Sequence, residues 1–208
     1  MRIAAILTRR YDRVMSTAAS ANKIDRPRLT ETDWERAALE LMADEGVAAV
    51  AVETLARRLE VTKGSFYWHF ESRDALLKAA LTRWEENDAQ ALAGLAKEVS
   101  DPHVRLRELF RRTSKRRTLH AIYSALIAAR DHAIVGPFMA RITERRMAFL
   151  AMGFRELDMA PDQAEHRARL AYAAYVGFLQ LTPHSISAKL SIDAFDAYVE
   201  HMIETLIP

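Results

Sequence analysis

The side chains with the plainest binding chemistry lie inside Val61 to Leu77, VTKGSFYWHFESRDALL. Lys63 and Ser65 can reach base edges or phosphates. Thr62 can cap a helix start and also offer its hydroxyl to a phosphate. Gly64 lets the backbone come close to a neighbouring surface. Tyr67 and His69 can donate to phosphate oxygens. Trp68 can lie on a sugar or a thymine methyl with its N–H as a donor. Free amide groups at such a helix start favour an anion. Taken together, this set suits the major groove of a DNA duplex. The competing reading is a short helix whose exposed aromatics contact another protein or cover a core.

These groups need a rigid mount. Val52 to Glu60, VETLARRLE, repeats apolar residues at three and four with Val52, Leu55, Ala56 and Leu59, which is one helix face. Ala56 is small where two helices would cross. Val61 is apolar inside the turn that follows. Lys63 to Phe70 then places Phe66 and Phe70 on one face as an i, i+4 pair. The pattern predicts a helix-turn-helix whose second member buries two phenylalanines and presents polar and aromatic groups outward.

Flanking helices complete the mount. Thr30 to Glu45 reads as a helix with a capping box at Thr30 and Asp33, a stripe of Trp34, Ala37, Ala38, Leu41 and Met42, and Gly46 as its stop. Ser72 caps a long helix to about Val99, with Leu76, Leu77, Ala80, Leu81 and Trp84 inward. This helix is expected to start beside DNA and end in a second domain.

The remainder also reads as helices. Asp101-Pro102 starts a helix carrying Val104, Leu106, Leu109 and Phe110. Its outer side is basic, with Arg105, Arg107, Arg111, Arg112, Lys115, Arg116 and Arg117. That face takes an anion or DNA, or is a solvated face paired with acids elsewhere. A helix follows from about Leu119 to Asp131. Gly136-Pro137 kinks or starts the next, which runs to about Leu157. Pro161 opens another that ends before Pro183, and Ser191 caps the last. These last two carry wide apolar stripes, including Tyr175, Phe178 and Leu179 on one and Phe195, Val199, Met202, Ile203 and Leu206 on the other. Such a pair suits a four-helix interface between two copies, with an intramolecular core as the alternative.

The 208 residues suffice for one or two domains with a real core. Six Gly, six Pro and abundant Ala, Leu, Arg and Glu point to an all-α fold. With no cysteine, disulfides and thiolate metal sites are excluded, which fits a cytoplasmic protein. Net charge is +2, but it is unevenly spread. Residues 1–28 hold seven Lys or Arg and two Asp, whereas residues 29–80 hold six Lys or Arg and ten Asp or Glu. An acidic segment is unusual for a DNA binder. The acids fall mainly on the first helix, while Lys63 and Arg73 flank the second helix of the motif.

The basic arm, residues 1–28, can supply positive field. Arg2 to Val14 could form a short helix, and Arg26 and Arg28 could enter a minor groove or touch backbone. A disordered tail, or translation starting at Met15, is the alternative. The run IAAIL is too short for a secretory core, and no apolar run approaches the ~20 residues needed to span a bilayer. No phosphate-binding Gly-rich loop, zinc-protease helix or nucleophile elbow occurs, and the histidines lack metal-ligand spacing. No catalytic residue, metal or cofactor is assigned.

The run LARRLEVTKGSFYWHFESRDALL closely resembles the DNA-binding signature of TetR-family transcription regulators, over roughly Leu29 to Leu81, about a quarter of the chain. The resemblance implies operator contacts at Thr62, Lys63, Gly64, Ser65, Tyr67, Trp68 and His69, and a phosphate contact at Arg73. It departs at Glu60, where the family has Gly at a turn expected to need positive φ, and at Ala51, where a capping Thr or Ser is usual.

The resemblance further implies domains at 29–88 for DNA and 89–208 for effector binding and dimerisation. Its effector cavity would draw on Phe110, Ser114, His120, Tyr123, Ile127, Phe138, Met139, Ile142, Met147 and Tyr172. It implies a homodimer through the last two helices, a palindromic double-stranded DNA operator, and an unknown small-molecule effector that releases a repressor. The alternatives are the same fold without an effector, or an activator.

Overall fold

The computed structural model describes residues 29–115, 117–181 and 192–208. The expectations for residues 1–28, for Arg116, for Pro183 and for the Ser191 cap lie outside them, as does the Phe195 side chain. Residues 31–208 form one compact unit. Among the described residues the regular structure is helical throughout. In order these are α1 (Glu31–Glu45), a 3-10 turn (Val47–Ala49), α2 (Val52–Arg58), α3 (Lys63–Tyr67), α4 (Arg73–Glu98), α5 (Pro102–Ser114), α6 (Arg117–Ala128), α7 (Val135–Arg155), α8 (Pro161–Leu181) and α9 (Ile192–Leu206).

Local chemistry sets the boundaries. Gly46 closes α1 at φ 88°, a conformation that costs a Cβ-bearing residue dearly. Ser72 caps α4 by accepting from the Ala75 amide at 3.1 Å, and Asp101 caps α5 by accepting from Val104 N–H at 2.9 Å ahead of Pro102. Pro137 sits within the first turn of α7, where a missing N–H leaves no intrahelical bond unmade. Two expected spans change. The motif's second helix stops at Tyr67 and leaves Trp68 and His69 in a turn, with His69 N–H donating to the Phe66 carbonyl at 2.9 Å. The helix expected over about 119–131 runs instead from Arg117 to Ala128.

The helix-turn-helix is held from below by aromatic packing. Trp34 of α1 and Phe66 of α3 are fully buried and meet edge to face at 5.4 Å. Phe70 packs on Phe66 at 5.8 Å. Helix α1 also packs on α4 and α6. From α4, Arg83 donates to Thr32 at 3.2 Å on α1.

A second core gathers α5, α7, α8 and α9 around Leu106, Phe154, Ala168, Ala171 and Ile203. Gly153 makes the α5–α7 crossing close: a Cβ there would stand 2.8 Å from Leu106 Cδ2. The basic face of α5 is largely spent on acids. Arg111 makes a bidentate pair with Glu200 of α9 at 2.7 and 2.8 Å. Arg112 reaches Glu98 at 2.7 Å, and buried Arg105 bonds Glu156.

Candidate nucleic-acid interface and ligand cavity

The first candidate site is the outward side of α3. Its placement follows from Phe66, which enters the core and forces its sequence neighbours out. Tyr67 is 62% and Trp68 79% exposed. Thr62, Lys63 and Gly64 are exposed, and Ser65 and His69 are half-buried. The seven positions Thr62 to Ser65 and Tyr67 to His69 are thus all exposed or half-buried. Thr62 occupies the N-cap but makes no side-chain cap bond, and the same holds for Ala51 at the start of α2.

The two charges expected to contact DNA, Lys63 and Arg73, already have partners. Lys63 Nζ lies 2.6 Å from Glu53 of α2. That hydrogen bond holds the Glu53 carboxyl below its usual range. Arg73 turns inward instead of toward the surface. Its Nε donates to the Val50 carbonyl at 2.6 Å, and its Nη2 to the Val47 carbonyl at 3.2 Å. In this state it fastens the start of α4 to the loop before α2, so a phosphate contact would have to compete with two carbonyls. Glu60 has φ 55°, the left-handed turn conformation its position was expected to need.

The second candidate site is a cavity of about 300 Å³ bounded by α4 to α9. Of the ten residues expected there, Phe110, Ser114, His120 and Tyr172 line it. Tyr123 is buried behind the wall, bonded through its hydroxyl to Tyr172. Phe138 is instead covered by the Arg141 guanidinium at 4.4 Å. Met139 and Ile142 are enclosed, and with Ile127 and Met147 they lie outside the lining.

The expected dimer residues divide differently from the expectation. Leu179, Val199, Ile203 and Leu206 are at most 5% exposed in the single chain. A side chain already enclosed by its own chain has little surface to give a second copy. Tyr175, Phe178 and Met202, with Val199, line the cavity.

Two charged residues of the wall went unread in the sequence. Arg146 of α7 and Asp88 of α4 meet at 2.7 and 3.1 Å. The guanidinium also lies 4.4 Å from the centre of the Tyr123 ring. Burial opposes the Arg146 charge, but Asp88 more than offsets it and the pKa rises. Tyr175, stacked on Tyr123 at 5.9 Å, is pushed up to about 12, chiefly by burial. Burial pushes the His120 imidazole below its usual range, against a hydrogen bond to the Thr113 backbone. Its Nε2 is buried without a partner.

One step along α4, Glu85 is gripped by Arg141 at 2.6 Å and by Arg145 at 3.2 Å. Helix α7 therefore holds α4 through three arginines in succession. The same α4 carries Ser72 and Arg73 at the other end of the helix.

Residues 36–80 match the family described as bacterial regulatory proteins, tetR family. Solved structures share the fold across most of both chains. A TetR-family transcriptional regulator from Agrobacterium tumefaciens is 16% identical, covering 86% of this chain and 97% of its own, with a TM-score of 0.72. A TetR transcriptional regulator from Legionella pneumophila is 14% identical over 86% of this chain and 98% of its own, at 0.74. A transcriptional regulator from Saccharomonospora viridis, solved in complex with choline, is 17% identical over 84% and 95%, at 0.72. No curated protein matches the sequence.

Proposed function

We propose that this chain, whose residues 36–80 match the tetR family of bacterial regulatory proteins, is a homodimeric repressor of transcription that leaves its operator when a small molecule fills the α4–α9 cavity. Residues 29–88 bind DNA, and residues 89–208 bind effector and partner. The observation that carries the reading is the pair of exposed aromatics, Tyr67 and Trp68, beside Lys63 on a helix whose Phe66 is locked in the core. Large exposed rings on an otherwise well-packed motif need a partner surface. A groove lined by phosphate, sugar and thymine methyl matches their chemistry.

Two copies place two such helices on one face of the duplex, roughly 34–36 Å apart, and so read a palindrome. The dimer face is the outer side of α8, where Leu170 is 57% exposed and His166 and Ala173 share its stripe, together with the outer side of α9.

Release follows from connectivity. Asp88 at the cavity and Arg73 at the helix-turn-helix lie on one continuous helix. His120 at the cavity lies on α6, which packs on α1 beneath the motif. Ligand that repositions α4 or α6 favours a spacing of the two recognition helices that misses the half-sites. The choline held by the Saccharomonospora viridis neighbour supports a small-molecule role for the cavity here.

Selection of bound duplexes from a random pool tests the reading. Enrichment of palindromic sites, with affinity falling steeply as salt rises, is expected. Absence of any enriched duplex at low salt would overturn it.

A further inference from the structure

The chemistry of the cavity wall narrows what it can hold, granted its reading as the effector site. Among the described residues, four of the wall carry formal charge at neutral pH, and each is paired within the wall itself. Asp88 meets Arg146 at 2.7 Å, and Glu98 meets Arg112 at 2.7 Å. Their charges cancel. The Asp88–Arg146 side chains are largely buried, whereas those of Glu98 and Arg112 are 60% and 44% exposed. Beside the buried pair, an ionised ligand would either stay unpaired among mostly apolar groups or break that pair, and each outcome strands a poorly solvated charge. Part of the aromatic surface that could receive a cation is already taken. Arg146 lies 4.4 Å from the Tyr123 ring centre and 6.0 Å from that of Tyr175.

The polar opportunity that remains is neutral. Among the described residues, the buried side-chain atoms without a hydrogen-bond partner are Trp34 Nε1, Arg105 Nε and His120 Nε2, and only His120 belongs to this wall. With the other ring nitrogen bonded to the Thr113 backbone, Nε2 is left as an acceptor in the neutral ring. The rest of the wall is mostly apolar or aromatic, including Leu92, Leu95, Phe110, Tyr175 and Phe178, with Gln90, Thr113 and Ser114 as its further neutral polar side chains; Ser114 already donates to the Arg111 carbonyl at 2.8 Å. The volume of about 300 Å³ lies at the lower end for small-molecule sites.

We propose that this cavity selects an uncharged, compact, largely apolar molecule bearing a hydroxyl or comparable hydrogen-bond donor, received by His120 Nε2. Selection works by two means. Burying the ring system favours entry, and the self-cancelled charges penalise any ionised competitor of the same shape.

Four probes of one shape test this by calorimetric titration of the full chain at neutral pH: 2-naphthol, 2-methoxynaphthalene, 2-naphthoate and 2-naphthylmethylammonium. We expect 2-naphthol to bind at least about tenfold more tightly than the other three. His120→Phe should lower 2-naphthol to the level of the methyl ether and leave the ether unchanged. A charged probe binding as tightly as 2-naphthol, no preference for 2-naphthol over its ether in the unaltered protein, or binding of none of the four would each overturn the proposal. The unaltered protein decides these outcomes even if His120→Phe fails to fold. A charged probe whose binding is lost in Leu92→Trp would sink the ligand class while leaving the cavity's role intact. A bound 2-naphthol that leaves the DNA complex undisturbed would support the class and contradict the effector reading.

Discussion

Lys63 Nζ sits 2.6 Å from Glu53 Oε1, so the proposed recognition surface would meet DNA with its cation already engaged. Both side chains are more than half exposed, and water screens the pair strongly. A phosphate or base edge that takes Lys63 must displace Glu53, and the freed carboxylate then faces the polyanion. Glu53→Gln should tighten operator binding about two- to fivefold and steepen its salt dependence slightly. Fluorescence anisotropy over a salt series reads both; weaker binding would mean that Glu53 orients Lys63 rather than restrains it.

Glu60 holds φ 55°, a conformation that favours glycine. Glu60→Gly should stabilise the chain by up to about 1 kcal/mol, the relief of left-handed strain less the entropy glycine loses. The midpoint of urea unfolding measures it. A lowered midpoint would show that contacts of the Glu60 side chain outweigh the strain.

His120 imposes a pH dependence with a definite sign. Burial depresses its folded pKa from 6.5, so the unfolded chain binds the proton more readily. Stability is then complete above pH 6.5 and declines as pH falls from there toward the depressed folded value. Removing the group, as in His120→Phe, should flatten that part of the stability profile relative to the unaltered protein. A profile of the same slope in the variant would place the titration elsewhere.

Leu170 tests the dimer face. Leu170→Glu puts a charge into the proposed seam without disturbing a core, because the residue is already 57% exposed. Sedimentation should show the variant shifted toward monomer, with operator affinity reduced in step. A dimer of unchanged strength would place the interface elsewhere on the surface.

Much of this arrangement was legible in the sequence because local rules and packing agree there. The helix-turn-helix follows from Leu55, Ala56, Phe66 and Phe70 recurring at helical spacing, and all four are buried. Caps at Ser72 and Asp101 announced α4 and α5. The cavity was harder. Periodicity says that a residue faces inward but not what it meets, so it did not reveal that Tyr175, Phe178 and Met202 line the cavity. Asp88 and Arg146 were missed although a signal existed. Asp88 stands four residues from both Trp84 and Leu92, and Arg146 four from both Ile142 and Leu150, all buried. Opposite charges within two apolar stripes are the mark of a buried pair. The bonds of Arg73 to two backbone carbonyls were not legible, since no local pattern reveals partners 23 and 26 residues away.

The most direct test is the affinity of Lys63→Ala plus Tyr67→Ala for a duplex selected by the unaltered protein, measured by anisotropy at fixed salt. Both side chains are exposed on α3, so folding and dimerisation should survive. The account predicts a loss of about 30-fold or more. Affinity equal to that of the unaltered protein, in a variant that still dimerises, would contradict it.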